Sequence, residues 1–166
     1  VPEPLRRATI DAIESGRNGY TLTAGAGDLL ESVRAHLQRD VGWAINGDRL
    51  DTLITSGTSG ALLLACMALC DAGSEIIVPD PWFVVYTALG PMSGAKIVTC
   101  DTYGDFRMTA ERVEPLLTDA TKIVLVNTPA NPTGVVLTEA EVRDLADLCT
   151  SRGVILMSDE IYDLFT

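Results

Sequence analysis

The chain has 166 residues, enough for one ordinary domain with a real core. Its 47% apolar content argues against disorder, and a net charge of −11 disfavours nucleic acid or an anionic membrane surface as partner. No stretch approaches the roughly 18 uninterrupted apolar residues of a membrane span.

The four cysteines contain no Cys-x-x-Cys pair, and the single histidine, His36, has no partner at ligand spacing. Neither a disulfide set nor a metal site is expected, and a reducing, cytoplasmic setting is.

In chain order, Pro4 to Ser15 predicts a helix with proline at its start and Gly16 just beyond its end. Residues 17–27 form a glycine-rich loop. Asp28 to Val41 carries Leu29, Leu30, Val33, Leu37 and Val41 at helical spacing, an amphipathic surface helix. Strand signals follow near Leu53–Thr55, Glu75–Val78, Lys96–Val98, Ile123–Val126 and Val154–Met157, with helical stretches between them. The stretch Ala61 to Leu69 is apolar all round, which predicts a buried helix. Pro115 shortens or kinks the helix expected over Thr109–Leu117. Thr138-Glu139-Ala140-Glu141 is a capping box, and the helix it opens stops at Arg152-Gly153. Strands alternating with helices predict an α/β fold of three layers, α/β/α, around a mainly parallel sheet.

The chemistry gathers where strands end. In an open parallel sheet, ligands bind beyond the carboxyl ends of the strands. One apolar strand runs into Asn131-Pro132-Thr133-Gly134, and another into Asp159-Glu160-Ile161-Tyr162. Asn131, Asp159 and Tyr162 bring an amide, a carboxylate and a phenol to one edge. Upstream, Gly57-Thr58-Ser59-Gly60 opens a helix directly after a strand. A helix start presents N–H groups and the positive end of the dipole, which suits a phosphate; simple N-capping without a ligand is the alternative. It is not a Walker A loop, because no Gly-Lys-Ser/Thr follows. Gly57-Thr58-Ser59-Gly60-Ala61 also approximates a hydrolase nucleophile elbow, but that chemistry needs a later histidine and His36 precedes it. Asp80-Pro81-Trp82-Phe83 places aromatic rings near the same edge, to stack on a flat ligand or simply to pack.

Taken together, these motifs, in this order, resemble the class I/II aminotransferases, fold-type I enzymes dependent on pyridoxal 5'-phosphate, of the aspartate aminotransferase kind. The resemblance runs through nearly the whole chain. It implies that Gly57, Thr58 and Ser59 hold the cofactor phosphate and that Phe83, rather than Trp82, stacks on the ring, with Tyr86 a site-facing neighbour. It implies that Asn131 and Tyr162 hydrogen-bond the phenolic oxygen and that Asp159 keeps the ring nitrogen protonated. Tyr20, in Tyr20-Thr21-Leu22-Thr23-Ala24-Gly25, would reach the phosphate of the other subunit of a homodimer. Asp80-Pro81 and Asn131-Pro132 fall where the family's peptide bonds are often cis.

The implied reaction moves an amino group between an amino acid and a 2-oxo acid. The same cofactor site also serves C–S lyases, ACC-synthase-like enzymes and racemases, and some transcription regulators carry a non-catalytic domain of this kind. The lysine that holds the cofactor covalently should follow the Asp-x-x-Tyr segment. Lys96 and Lys122, the chain's lysines, precede strands on the opposite edge. No residue of the chain is therefore assigned as catalytic. The expectation is an internal piece of a longer protein: residues 1–16 a helix leading in, and 17–166 the N-terminal part of the cofactor-binding large domain. The rest of that domain and the small domain would lie beyond Thr166. Made alone, such a piece is expected to bind the cofactor weakly and not to transaminate.

Overall fold

A computed structural model describes every residue except Asn46, Asp48 and Thr166. The chain divides into two compact units, 1–55 and 56–166. The boundary expected after residue 16 falls inside the first unit.

The first unit contains α1 (Glu3–Glu14) and α2 (Gly27–His36), which continues as a π-helical turn over Leu37–Val41 and ends at left-handed Gly42. Helix α1 begins with proline in its first turn, as predicted, and none of its residues is buried. The predicted strand at Leu53–Thr55 does not form. Among the described residues this segment has no strand to pair with; the Ile54 N–H instead donates to the Ala24 carbonyl at 2.9 Å. That contact explains Gly25. Its φ is +124°, and a Cβ there would lie 2.6 Å from Cγ1 of Ile54.

The second unit is the predicted α/β/α arrangement. Its elements are α3 (Gly57–Leu69), β1 (Glu75–Asp80), α4 (Tyr86–Ser93), β2 (Lys96–Asp101), α5 (Ala110–Val113), β3 (Thr121–Asn127), α6 (Glu139–Arg152) and β4 (Ile155–Asp159). All strand pairs are parallel, in the order β2-β1-β3-β4. Pleating sends alternate residues to opposite faces. Ile76, Val78, Ile123 and Leu125 pack with Leu62 and Cys66 of α3 and Leu89 of α4. Ile77, Val124 and Val126 pack on the other face with Val113 of α5 and Leu145 and Cys149 of α6. The central strands β1 and β3 therefore read as continuous apolar runs, as doubly covered parallel strands must.

Pro115 ends α5 after one turn, and a 3-10 turn over Glu114–Leu116 follows. The Thr138 capping box forms in full, and left-handed Gly153 closes α6. A second expectation fails: α3 is not buried all round. It buries Leu62 and Cys66, while Leu64 is 50% and Met67 58% exposed. The helix lies in an outer layer, so only the side facing the sheet is covered.

Candidate active site

Four chain segments deliver polar groups to the carboxyl edge of the sheet. Helix α3 begins at Gly57, whose φ of +69° turns the chain into the helix, and Ser56 before it supplies no side-chain cap. The first turn of α3 can thus turn its N–H groups and the Thr58 and Ser59 hydroxyls to an anion. Strand β1 leaves the sheet through the cis Asp80–Pro81 bond into Trp82 and Phe83. Strand β3 ends at Asn127 and enters a loop with cis bonds at Thr128–Pro129 and Asn131–Pro132. That loop is tied by Gly134 N–H to the Ala130 carbonyl at 2.7 Å and by Ala130 N–H to the Val135 carbonyl at 2.9 Å. Strand β4 ends at Asp159.

These segments enclose an open cavity of about 190 Å³, lined by Gly57, Thr58, Ser59, Phe83, Asn131, Asp159 and Tyr162, together with Tyr86, Asn127 and Ile161. All seven second-unit residues singled out in the sequence as cofactor-binding therefore face one space. Tyr20 lies in the first unit and is fully exposed. Trp82 packs against the core and does not line the cavity. Lys96 opens β2 and Lys122 is the second residue of β3, so both lie at the amino ends of their strands.

Asp159 dominates the electrostatics. It is only 4% exposed. Its Oδ2 accepts the Tyr86 hydroxyl at 2.8 Å and its Oδ1 the Ile161 N–H at 3.3 Å. Among the described residues no Lys, Arg or His pairs with it. A buried carboxylate costs a great deal unless donors and a positive partner surround it; here the donors are present and the open side is the cavity. Tyr86 is fully buried and meets Phe83 edge to face, with ring centroids 5.8 Å apart. Burial, and then its bond to Asp159, push the Tyr86 phenol well above its ordinary value, so it stays a neutral donor. One buried ring thus orients both the carboxylate and the aromatic that faces the cavity.

Asn127 and Ile161 also face the cavity, and the sequence reading passed over both. A signal for Asn127 was present: it is the polar residue that ends the apolar run 123–126, as Asp159 ends β4, and the two are register partners. Ile161 carries no comparable signal.

The donor set suits pyridoxal phosphate: a helix N-terminus with hydroxyls for the phosphate, an aromatic for the ring, and a buried carboxylate without a cation for a pyridinium nitrogen. A parallel α/β/α unit with an open cavity at the carboxyl edge of its sheet defines the class of protein. The particular family follows from comparison. The sequence pattern described as "Aminotransferase class I and II" matches residues 1–166. This chain belongs to that family. It is 32% identical over 162 residues to a probable aspartate aminotransferase of Methanocaldococcus jannaschii, covering 98% of this chain and 43% of that protein. It is 31% identical to an aspartate aminotransferase of Geobacillus stearothermophilus, covering 99% of this chain and 42% of that protein. Among solved structures, a Thermus thermophilus aspartate aminotransferase mutant superposes with a TM-score of 0.91 at 33% identity, over 97% of this chain and 44% of the other. An aromatic aminotransferase of Pyrococcus horikoshii gives 0.92 at 28% identity, over 99% and 44%. The chain therefore spans less than half the length of these relatives.

Proposed function

We propose that the protein containing this chain is a pyridoxal-phosphate-dependent aminotransferase that moves an amino group between an amino acid and a 2-oxo acid. The observation that carries this reading is Asp159, a buried carboxylate that has hydrogen-bond donors but, among the described residues, no cation, and that faces an open cavity. When bound, pyridoxal phosphate supplies the electron sink for chemistry at the substrate's α-carbon. The chain's own residues bind and tune it. The first turn of α3, with Thr58 and Ser59, would hold the phosphate. Phe83 would cover the ring. Asn131 and Tyr162 would hydrogen-bond the phenolic oxygen. Asp159 would hold a proton on the ring nitrogen, because a carboxylate in a poorly solvated site favours the charged form of an adjacent base. Tyr86 keeps that carboxylate oriented.

On the same reading the protein is a homodimer in which Tyr20 reaches the partner's cofactor phosphate, and residues 17–166 belong to the cofactor-binding large domain. Four buried, unpaired cysteines favour a reducing, cytoplasmic setting. Among the described residues no helix is long and apolar enough to cross a membrane. The test is to incubate the purified full-length protein with pyridoxal phosphate, a panel of 15N-labelled amino acids and 2-oxo acids. The expected result is 15N in the amino acid formed from a 2-oxo acid. Cofactor binding without any transfer across the panel would overturn the reading.

A further inference from the structure

Asn127 is 5% exposed and caps β3 where the strand meets the cavity. Its side chain is used twice. Nδ2 donates to the backbone carbonyl of Asp159 at 2.9 Å, and Oδ1 accepts the backbone N–H of Asn131 at 2.7 Å. The Asp159 carbonyl also receives the Thr128 N–H at 3.3 Å. A single buried amide therefore ties the end of β4 to the loop that carries Asn131.

The two tied residues have different tasks in the proposed function, on which this inference rests. Asn131 would contact the phenolic oxygen and Asp159 the ring nitrogen, two separate points on the edge of one flat ring. Two in-plane contacts fix a ring's orientation only if their spacing is fixed. The β3–β4 ladder holds Asp159, but Asn131 lies four residues beyond the last ladder pair, Asn127–Asp159. Without the Asn127 bridge the loop would keep its own internal bonds and the Thr128 N–H bond to the Asp159 carbonyl, but Asn131, three residues further on, would lose the bond that ties it to the end of β3.

We propose that Asn127 is a positioning residue that sets the spacing between Asn131 and Asp159, and so the cofactor's orientation and the protonation of its ring system. It touches the machinery through those two residues.

The experiment compares wild type with Asn127→Ala in the full-length protein. Three readouts are taken: the melting temperature without cofactor, the Kd for pyridoxal phosphate, and the pH midpoint of the bound cofactor's absorbance. Thr102→Val is the control. Its hydroxyl makes a bond of the same kind, donating to the Asp80 carbonyl at 2.8 Å at the same edge, and Thr102 is buried away from the cavity. A positioning role predicts a Kd raised about tenfold, the scale of one broken buried hydrogen bond, together with a shifted pH midpoint. Thr102→Val should lower the melting temperature alone. If Asn127→Ala also lowers only the melting temperature, with Kd and midpoint as in wild type, the inference is overturned. Should Asn127→Ala not fold, Asn127→Asp is read by the same criteria; it keeps the acceptor for Asn131 and loses the donor to Asp159. A wild-type protein that binds no pyridoxal phosphate would overturn the proposed function itself, and this inference with it.

Discussion

The two ends of the parallel sheet use the same kinds of polar side chain in opposite ways. At the amino ends, Glu75 accepts the Thr118 hydroxyl at 2.6 Å and pairs with Lys96 at 3.4 Å, and Arg152 nearby pairs with Glu114 at 2.7 Å. Each of these four charges has a partner of opposite sign. At the carboxyl ends, Asp159 and Asn127 are buried, linked to neighbours by neutral donors, and turned to an open cavity. The contrast teaches where to look for chemistry in such a sheet. Polar groups whose charges are already balanced hold the structure. A buried carboxylate given donors and no cation leaves room for a positive ligand.

That contrast can be broken or sharpened by substitution at either end. The largest effect is expected at Asp159. In the full-length protein, Asp159→Ala should lower turnover by roughly a hundredfold or more, the range seen when one preorganised polar contact to the reacting group is lost. Stability should fall far less, and steady-state kinetics beside a urea melt separates the two. Near-normal activity would refute the assignment.

Tyr86→Phe comes next. It removes the buried donor to Oδ2 while keeping the ring beside Phe83. A loss of about 1–3 kcal/mol is expected from a buried acceptor left short of a donor. The urea midpoint should fall without a change in slope, while a change in slope would mean that the compactness of the denatured or native state had changed.

Thr138→Ala probes a purely structural device that does not line the cavity. It should cost about 1 kcal/mol, as the loss of a helix N-cap does, and leave cofactor affinity unchanged. Its partner adds a pH dependence. Hydrogen bonds from the Thr138 backbone N–H and hydroxyl, then Arg107, hold the Glu141 carboxyl below its ordinary 4.5. A folded-state pKa below the unfolded one gives stability that is present above the ordinary value and lost as pH falls through the lowered one. Wild type and Glu141→Gln should therefore differ in melting temperature at neutral pH and converge in acid.

The smallest effect is expected at the amino edge. Glu75→Gln should cost less than about 1 kcal/mol, as partly exposed pairs do. It should leave the Kd for pyridoxal phosphate at the wild-type value, measured by absorbance titration; a weakened Kd would erase the distinction between the two ends.

Much of this arrangement was legible before any coordinates. The strands of β1 and β3 announce themselves as apolar runs, the capping box marks the start of α6, and Gly153 marks its end. Asn131, Asp159 and Tyr162 stand out because they lie at the carboxyl end of a strand or within four residues of one. What the sequence hides is relational. The apolar composition of α3 does not say which side meets the sheet, so Leu64 and Met67 read as core. Leu53–Thr55 has strand-like residues, but a strand also needs an edge to pair with. Asn127 bonds the backbone of Asn131, four residues on, and of Asp159, 32 residues on, and a residue letter does not record such bonds.

The most direct test is a crystal structure of the full-length protein with pyridoxal phosphate bound. The account predicts the phosphate at the first turn of α3, against Thr58 and Ser59, with the ring nitrogen within hydrogen-bonding distance of the Asp159 carboxylate. A cofactor bound elsewhere, or one in this cavity with its ring nitrogen turned away from Asp159, would contradict it.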